Sequence, residues 1–322
     1  MAILPPDPIY VFRGDMGPVH SLLFRISPYI EHLYAGTESG NVHIWDLKKH
    51  RQASKLKIND TNKEQCLSLH TLGDEYLIVQ RKGGGVDLWS ADGSNWIFEK
   101  RIDTEYHGFC RSQILSEDLV LLPLPSSNVG VYSLKSNSIV NKLDPSQIST
   151  SKPLGEVMAI KNCGLQNNII LVAYESGAIA AWNVKEMAVN SWLETDTCPM
   201  AMTFDNYWMR GIIGYPTDKL EVFQLSKTDQ LIHKTTISVK NSGISVLASR
   251  HDSKVFSSGG WDGRVRIFSW KTLRPLAVLD QHRSTIFDII YSMEKVEAHN
   301  NKNLMAATGK DGTVSLWDLY NQ

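Results

Sequence analysis

The sequence has little that would point to secretion, to a membrane or to a nucleic-acid partner. Its 33 basic and 34 acidic residues leave a net charge of -1, which disfavours a main role in binding nucleic acid or an anionic membrane surface. The longest apolar runs, such as 119–124 and 169–173, are far shorter than the roughly 20 residues that cross a bilayer. The four cysteines stand alone, and no basic segment followed by an apolar one opens the chain. We therefore expect an intracellular protein with reduced thiols and no direct nucleic-acid or membrane partner.

Sequence motifs of common enzymes are also missing. The chain has no G-x-S-x-G, H-E-x-x-H, G-x-x-x-x-G-K-[ST] or G-x-G-x-x-G pattern. Its ten histidines are scattered without the spacing of metal ligands. The glycines 83–85 precede a strand pattern, so no helix N-terminus would point at a phosphate held there. We predict that the protein is not an enzyme and uses no cofactor and no metal.

What the sequence does contain is a repeat of about 45 residues. Seven segments end in an alternating apolar pattern with one aromatic residue at a fixed place, which we call the anchor. An aliphatic residue stands three positions before each anchor, and a turn-forming residue stands five before it in most repeats. The anchors are Trp45, Trp89, Tyr132, Trp182, Phe223, Phe268 and Trp317. Alternation at this period is typical of a four-stranded propeller blade.

The repeat predicts an all-β fold, a seven-bladed WD-repeat β-propeller that forms a single domain over residues 1–322. The last repeat ends before its fourth strand, whereas residues 9–12 have a strand pattern and no blade of their own. We therefore predict that this N-terminal strand completes the last blade and closes the ring, which removes exposed sheet edges. The predicted blades span residues 15–58, 64–103, 107–143, 155–195, 198–239, 242–279 and 283–322 with 9–13.

The repeats resemble the WD type, since Trp45-Asp46 and Trp317-Asp318 carry the dipeptide. This resemblance implies a buried, hydrogen-bonded set in which a His, a Ser or Thr, a turn Asp and the anchor Trp meet. The last repeat comes nearest to it, with its hydroxyl position falling on Ala307 or Thr308. The residues that we predict to be structural are His282, Asp311, Trp317, Ser258, Asp262, Trp45, Trp89 and Trp182.

The residue seven positions before each anchor is expected at the rim formed by the hairpins. Most of these positions, Lys310 among them, hold polar residues or proline, but one holds Trp261. A large aromatic residue at an exposed turn is typical of an interface anchor, and the alternative is that Trp261 folds over its own blade. The long connections 144–153 and 294–303 are polar, and we expect mobile surface loops or sites of docking or modification there.

Five stretches resemble the family of guanine nucleotide-binding protein subunit beta-like protein 1, whose fungal relative is ASTRA-associated protein 1. They are residues 5–24, 108–115, 173–184, 259–289 and 310–320. The resemblance implies a non-catalytic, cytoplasmic and nuclear scaffold. It would act with the Triple T co-chaperone components in the maturation and stability of phosphatidylinositol 3-kinase-related kinases, and thus in the DNA damage response. The fungal members are tied to the ASTRA assembly and to chromatin.

The resemblance also implies a set of interaction candidates. They are Arg13, Gly108, Phe109, Cys110, Arg111, Trp261, Arg264, Arg266 and Trp270, to which the rim adds Lys310. Residues 108–112 could instead be the inner strand of the third blade. The charge of Arg111 would then need a partner or an opening at the centre of the ring.

Other functions fit the same fold. A true β subunit of a heterotrimeric G protein pairs with a γ chain through a long N-terminal helix. Only eight residues with three prolines precede the first strand pattern here, so we expect no γ chain. A substrate adaptor of a ubiquitin ligase or a chromatin-associated scaffold stays the alternative. Outside its complexes we expect a monomer.

Overall fold

The computed structural model describes residues 6–57, 64–93, 95–164 and 168–319. Over these residues the chain forms short β-strands and two single-turn 3-10 helices, Pro145–Gln147 and Glu297–His299. The described part holds no helix with the length and hydropathy needed to cross a membrane. The strands make seven four-stranded antiparallel sheets, each of them one blade. The predicted all-β fold, a seven-bladed WD-repeat β-propeller, is confirmed.

The strands are numbered in chain order. They are β1 (Tyr10–Phe12), β2 (Val19–Ser27), β3 (Ile30–Thr37), β4 (Val42–Asp46), β5 (Arg51–Leu56), β6 (Cys66–Leu72), β7 (Tyr76–Arg81), β8 (Gly85–Asp92), β9 (Asn95–Asp103), β10 (Gln113–Ile114), β11 (Leu119–Pro123), β12 (Val129–Ser133), β13 (Ser138–Leu143), β14 (Val157–Asn162), β15 (Ile169–Tyr174), β16 (Ala178–Asn183), β17 (Ala188–Glu194), β18 (Ala201–Asp205), β19 (Arg210–Gly214), β20 (Lys219–Leu225), β21 (Leu231–Ser238), β22 (Ile244–Ser249), β23 (Val255–Gly260), β24 (Val265–Ser269), β25 (Pro275–Leu279), β26 (Ile286–Tyr291), β27 (Met305–Gly309) and β28 (Val314–Trp317).

The chain divides into two compact units, the first made of residues 1–69 and 241–322. This unit holds the blades β2-β3-β4-β5 and β22-β23-β24-β25, and the last blade, in which β1 pairs with β28 of β26-β27-β28. Tyr10 lies opposite Leu316 and Phe12 opposite Val314 in antiparallel register. The predicted completion of the last blade by an N-terminal strand is therefore confirmed.

The second unit covers residues 70–240. It holds the blades β10-β11-β12-β13, β14-β15-β16-β17 and β18-β19-β20-β21, and most of β6-β7-β8-β9, whose first strand begins just before residue 70. That residues 1–322 form a single domain stays a prediction. The expected blade ends at residues 58 and 322, and Pro5 and Tyr320 of the matching stretches, lie outside the described residues.

The core of each unit lies between neighbouring sheets, because every blade buries side chains on both of its faces. In the second unit, Val131 of one blade and Val172 and Trp182 of the next belong to one buried cluster. In the first unit, Phe12 and Val314 of the last blade pack with Leu33 of the first. The fourth strands are largely exposed, as in β13 and β21. Sheets that pack in this way read as nearly continuous apolar runs in their middle strands.

All seven anchors are buried, with at most 8% of any of them exposed. In each of the six blades with a fourth strand of their own, the register shifts by one residue directly before the anchor. The shifts fall before Trp45, Trp89, Tyr132, Trp182, Phe223 and Phe268. A bulge of this kind bends the strand and increases its twist. In these six blades, the anchor residue found in the sequence thus also marks where the fourth strand bends.

The long connection 294–303 is anchored to its unit, although most of its residues are exposed. Val296 is fully buried in the cluster that includes Phe12 and Leu304, and its backbone pairs with Lys302. The Glu31 carboxylate accepts hydrogen bonds from the N–H groups of residues 297 and 298, the second at 3.1 Å. The connection 144–153 is tied down similarly, since Ile148 is buried and Ser151 Oγ donates to Glu194 Oε2 at 2.6 Å. Both insertions are part of the packing of their unit.

We expect Val296→Ala to lower the free energy of unfolding by about 2 kcal/mol, because it removes two buried methyl groups and leaves a cavity. Glu294→Ala, at an exposed position of the same connection, is the matched control and should stay within about 0.5 kcal/mol of the unchanged protein. Urea denaturation followed by circular dichroism measures both. Equal stability of the two variants would mean that the connection is a loop without a structural role.

Candidate protein-interaction site

Trp261 lies in the hairpin between β23 and β24, and 46% of its surface is exposed. Its backbone N–H donates to the carbonyl of Gly243 at 2.9 Å. The indole rests on Gly243, where a Cβ atom would come within 2.2 Å of the ring, and the φ of 91° at Gly243 also favours glycine. Both sequence interpretations hold in part. Trp261 folds over a connection of its own blade, and the rest of the ring stays open to a partner.

Three basic residues lie in the hairpin of Trp261 or in connections that are linked to it by backbone contacts. Arg264 makes an exposed ion pair with Asp280 at 3.5 Å. Arg283 packs its backbone against Gly263, and the N–H of Lys310 donates to the carbonyl of Thr285 at 2.9 Å. The side chains of Arg283 and Lys310 are exposed, and neither has an ion-pair partner among the residues that the structure describes. We call Trp261, Arg264, Arg283 and Lys310 the Trp261 surface.

Two of the interaction candidates are structural instead. Arg266 is 6% exposed, and its guanidinium donates to Asp262 Oδ2 at 2.6 Å. Burial alone would raise the pKa of the Asp262 carboxyl, but the hydrogen bonds and charges of Arg266 and Arg264 outweigh it, so that this pKa is lowered. Trp270 is fully buried, and its indole N–H donates to Ser249 Oγ at 2.9 Å. Arg266 and Trp270 are therefore buried in their own blade, and neither is part of an exposed surface.

The segment 108–112 presents a second exposed aromatic residue, in the other unit. Phe109 is 61% exposed, and the ammonium of Lys82 lies 4.0 Å from the centre of its ring. Gln80 holds the second half of the segment, since its side-chain amide donates to the carbonyl of Cys110 at 2.9 Å and accepts from the N–H of Ser112 at 2.7 Å. The inner strand begins only at Gln113, so residues 108–112 precede it instead of forming it.

The two remaining arginine candidates differ in exposure. Arg13 is exposed directly after β1. Arg111 is half-buried beside His70. Burial is the main cause that lowers the pKa of His70 to about 4. The hydrogen bond with Ser112 opposes this shift, and the positive charge of Arg111 adds to it. His70 is thus neutral near pH 7, with its Nε2 positioned 2.9 Å from the carbonyl oxygen of Ser112.

The predicted buried set of the last blade is present, with one member changed. His282 Nδ1 donates to Asp311 Oδ2 at 2.9 Å, and His282 Nε2 lies 2.8 Å from Ser315 Oγ. The indole N–H of Trp317 donates to the same hydroxyl at 2.8 Å. The hydroxyl therefore comes from Ser315 on the anchor strand and not from Ala307 or Thr308. Ala307 lies directly opposite Ser315, and its small side chain leaves room for the hydroxyl.

Taken alone, these distances match the connectivity of a catalytic Ser-His-Asp set. Ser315, however, is fully buried, and His282 is 2% exposed. The Ser315 hydroxyl lies within hydrogen-bonding distance of His282, Trp317 and the carbonyl of Ala307. A nucleophile must reach the carbonyl that it attacks, and this hydroxyl has no open side. The arrangement is structural, since it joins a loop, a turn and a strand of one blade.

Of the other predicted structural residues, Asp262 is half-buried and pairs with Arg266, and the rest are buried without completing such a set. Ser258 Oγ and the indole N–H groups of Trp45 and Trp89 have no hydrogen-bond partner among the described residues. Trp182 is fully buried. In these blades the anchor contributes packing, whereas in the last blade it also contributes a hydrogen bond.

The residues that sequence reasoning missed are Ser315, Gln80, Gly243 and Arg283. Ser315 lies two positions before the anchor Trp317, where most of the seven repeats have a polar or small residue, but this pattern does not indicate a partner. Gly243 had a signal, since it is an isolated glycine directly before a predicted strand. Within the described ranges, no three His, Cys, Asp or Glu side chains lie close enough to hold a metal ion.

Comparisons with known proteins agree with this architecture. The WD domain, G-beta repeat, matches residues 232–269 and 273–318. The chain is 30% identical to guanine nucleotide-binding protein subunit beta-like protein 1 of Mus musculus, with 98% of this chain and 97% of that protein covered. It is 37% identical to ASTRA-associated protein 1 of Schizosaccharomyces pombe, with 98% and 99% covered. The protein of the same name in Verticillium alfalfae is 22% identical, with 98% and 93% covered.

Proposed function

Since the chain belongs to the family of guanine nucleotide-binding protein subunit beta-like protein 1 and ASTRA-associated protein 1, we propose that it is a non-catalytic protein-interaction scaffold. Its proposed partners are the Triple T co-chaperone components and the phosphatidylinositol 3-kinase-related kinases, whose maturation and stability it supports in cytoplasm and nucleus. The fungal relatives are named for association with ASTRA. An association of this chain with the same assembly is part of the proposal.

The observation that carries the scaffold proposal is the fixed, half-exposed ring of Trp261. A core tryptophan would be buried, as Trp270 is in the same blade. A tryptophan without a role at a turn would not need a glycine beneath it, whereas Gly243 leaves room for the ring of Trp261. A rigid aromatic residue loses little conformational entropy on binding, and tryptophan is enriched among the residues that dominate protein interfaces.

Depletion of the protein tests the co-chaperone proposal. Rapid degradation through a fused degron should lower the protein levels of the large kinases several-fold over the following cell divisions, while their messenger RNA levels stay unchanged. Immunoblots and transcript counts from the same cultures measure both. Re-expression of the intact chain should restore the kinases, and the Trp261→Ala variant, expressed at an equal level, should restore them less. Unchanged kinase levels after depletion would contradict this role.

The alternative is a substrate adaptor of a ubiquitin ligase, which WD propellers also serve as. It predicts that depletion raises the level of a bound protein instead of lowering it, because loss of an adaptor stabilises its substrate. Proteomic half-lives measured in the same depletion experiment separate the two functions. A bound protein whose half-life lengthens when this chain is removed would favour the adaptor.

A further inference from the structure

We propose that the Trp261 surface binds an acidic peptide segment, with an apolar side chain of that segment stacked on the open part of the indole. The inference rests on the scaffold function proposed above and adds the chemistry of the partner. It draws on residues of the first unit alone, where the hairpin 260–264, the loop 282–285 and the turn at Lys310 pack together.

The backbone fixes the relative positions of these groups. Residues 282–284 contact Gly263, where a Cβ atom would come within 3.0 Å of the backbone N of Ser284. Thr285 Oγ1 lies 3.5 Å from the carbonyl oxygen of Trp261, and the carbonyl of Thr285 accepts from the N–H of Lys310. The indole and the cations at positions 283 and 310 therefore extend from three connections that are hydrogen-bonded or in contact with one another.

In these connections the acidic side chains have partners, whereas two of the basic side chains form no ion pair within the described ranges. Asp262 is paired with Arg266, and Asp311 is bonded to His282 and to the backbone and hydroxyl of Thr313. Both carboxylates are thus directed inward. Asp280 pairs with Arg264 at the surface, over 3.5 Å. The side chains of Arg283 and Lys310 remain exposed, and neither forms an ion pair with a carboxylate of the described residues.

An acidic segment would supply the missing carboxylates. Charge complementarity of this kind raises the association rate and selects against basic partners, and the stacked apolar side chain would supply most of the binding energy. A nucleic acid would need a longer basic track than these few cations provide.

Fluorescence anisotropy with a labelled synthetic peptide tests the proposal on the full chain. The probe has glutamates on both sides of a central phenylalanine. Two further peptides replace the glutamates by lysines or the phenylalanine by serine, and a single-stranded oligonucleotide of similar charge is the fourth probe. We expect saturable binding of the first peptide alone, with an affinity that falls as salt is added.

Substitutions then locate the site. Trp261→Ala and Lys310→Glu should each weaken binding of the acidic peptide about tenfold, and their double variant more. Trp192→Ala, at an exposed tryptophan of β17, and Lys271→Glu, at the other end of the Trp261 blade, are matched controls that should bind as the unchanged chain does. Thermal unfolding midpoints must agree among all variants that are compared.

Three results would overturn the inference: no saturable binding of the acidic peptide, undiminished binding by the folded Trp261→Ala variant, or tighter binding of the oligonucleotide. If one of them occurs while depletion still lowers the kinase levels, the scaffold function stands and its contact surface lies elsewhere. If peptide binding follows the proposal while kinase levels do not change, the surface is established and the co-chaperone role is not.

Discussion

Phe12→Ala should lower the free energy of unfolding by about 3–5 kcal/mol, the usual cost of removing a fully buried phenylalanine. Phe12 has no exposed surface, and its ring lies 5.3 Å from the ring of Trp45, centre to centre. It belongs to β1, the strand that completes the last blade by pairing with β28. The substitution therefore weakens the packing of the last blade against the first, in addition to leaving a cavity. Chemical denaturation curves measure the change.

Removal of residues 6–13 extends the same experiment. Without β1, the N–H and C=O groups of β28 that it pairs with lose their partners, and an unpaired edge strand favours aggregation. We expect a protein that is less stable and no longer monodisperse in size-exclusion chromatography. Ile9→Ala is the control, because the Ile9 side chain is 42% exposed and its backbone N–H still donates to the carbonyl of Leu316. A truncated chain that stays folded and monodisperse would show that β1 is dispensable.

Trp317→Ala is the second substitution with a large expected effect, again about 3–5 kcal/mol. It removes a buried indole and takes one donor from the Ser315 hydroxyl. Phe256→Leu, a milder change at a buried aromatic residue of the neighbouring blade, controls for loss of aromatic packing alone and should cost less. Equal losses in the two variants would mean that the hydrogen-bonded set adds nothing to stability.

The contribution of Asp311 should depend on pH. Burial would raise its pKa, but the hydrogen bond and charge of His282 and the bonds from Thr313 hold it at about 2, below the ordinary value of 3.8. A carboxyl whose pKa is depressed by folding stabilises the folded state above its ordinary pKa. Because Asp311 is partly exposed, solvent screening reduces this contribution to about 1 kcal/mol. This contribution is lost as the pH falls from about 4 towards 2.

Asp311→Asn isolates this charge effect, because the amide oxygen can still accept from His282. The variant should be less stable than the unchanged chain at pH 6, and the difference should shrink as the pH falls below 4. Asp280→Asn, at the exposed carboxylate that pairs with Arg264, is the control and should show a smaller difference throughout. A difference for Asp311→Asn that does not vary with pH would contradict the assigned pKa.

The sequence predicted the features of the fold that recur in every blade. The anchor column, the alternation around it and the unassigned strand at the N-terminus each depend on local pattern or on counting strands, and the structure contains them. The bulge before each anchor was not predicted, although it falls at the same position in six blades. A bulge is a property of two paired strands, and the pattern of one strand does not reveal it.

The position two residues before each anchor, which is polar in five of the seven repeats, shows what the sequence could not predict. Asp87 pairs with Arg81 at 2.8 Å, Glu221 accepts from Tyr215 at 2.9 Å, and Arg266 pairs with Asp262. Each is buried or half-buried, and each takes a different partner from a neighbouring strand or turn. The repeat predicts a polar group at this position in most blades, but the residues that lie near it in the folded protein determine which partner it binds.

The candidate site likewise contains some residues that the sequence could place and others that only the structure could place. Trp261 and Lys310 could be placed at a rim from their distance to the anchors alone. The burial of Arg266 and Trp270 could not, because it depends on whether Asp262 and Ser249 lie within reach of their polar atoms. Arg283 could be assigned to the Trp261 surface only from the structure, in which its backbone contacts Gly263.

The pairing of β1 with β28 also sets how the molecule responds to mechanical load. The N-terminal end of β1 lies beside the C-terminal end of β28, with Tyr10 opposite Leu316 and Phe12 opposite Val314. A force that pulls on the two chain ends therefore acts on one end of the pair, and its hydrogen bonds break one after another instead of sharing the load. The pairing of β1 with β28, which the buried Phe12 stabilises against thermal unfolding, therefore resists such a force poorly. If the protein is pulled through β1 and β28, we expect the last blade to open first.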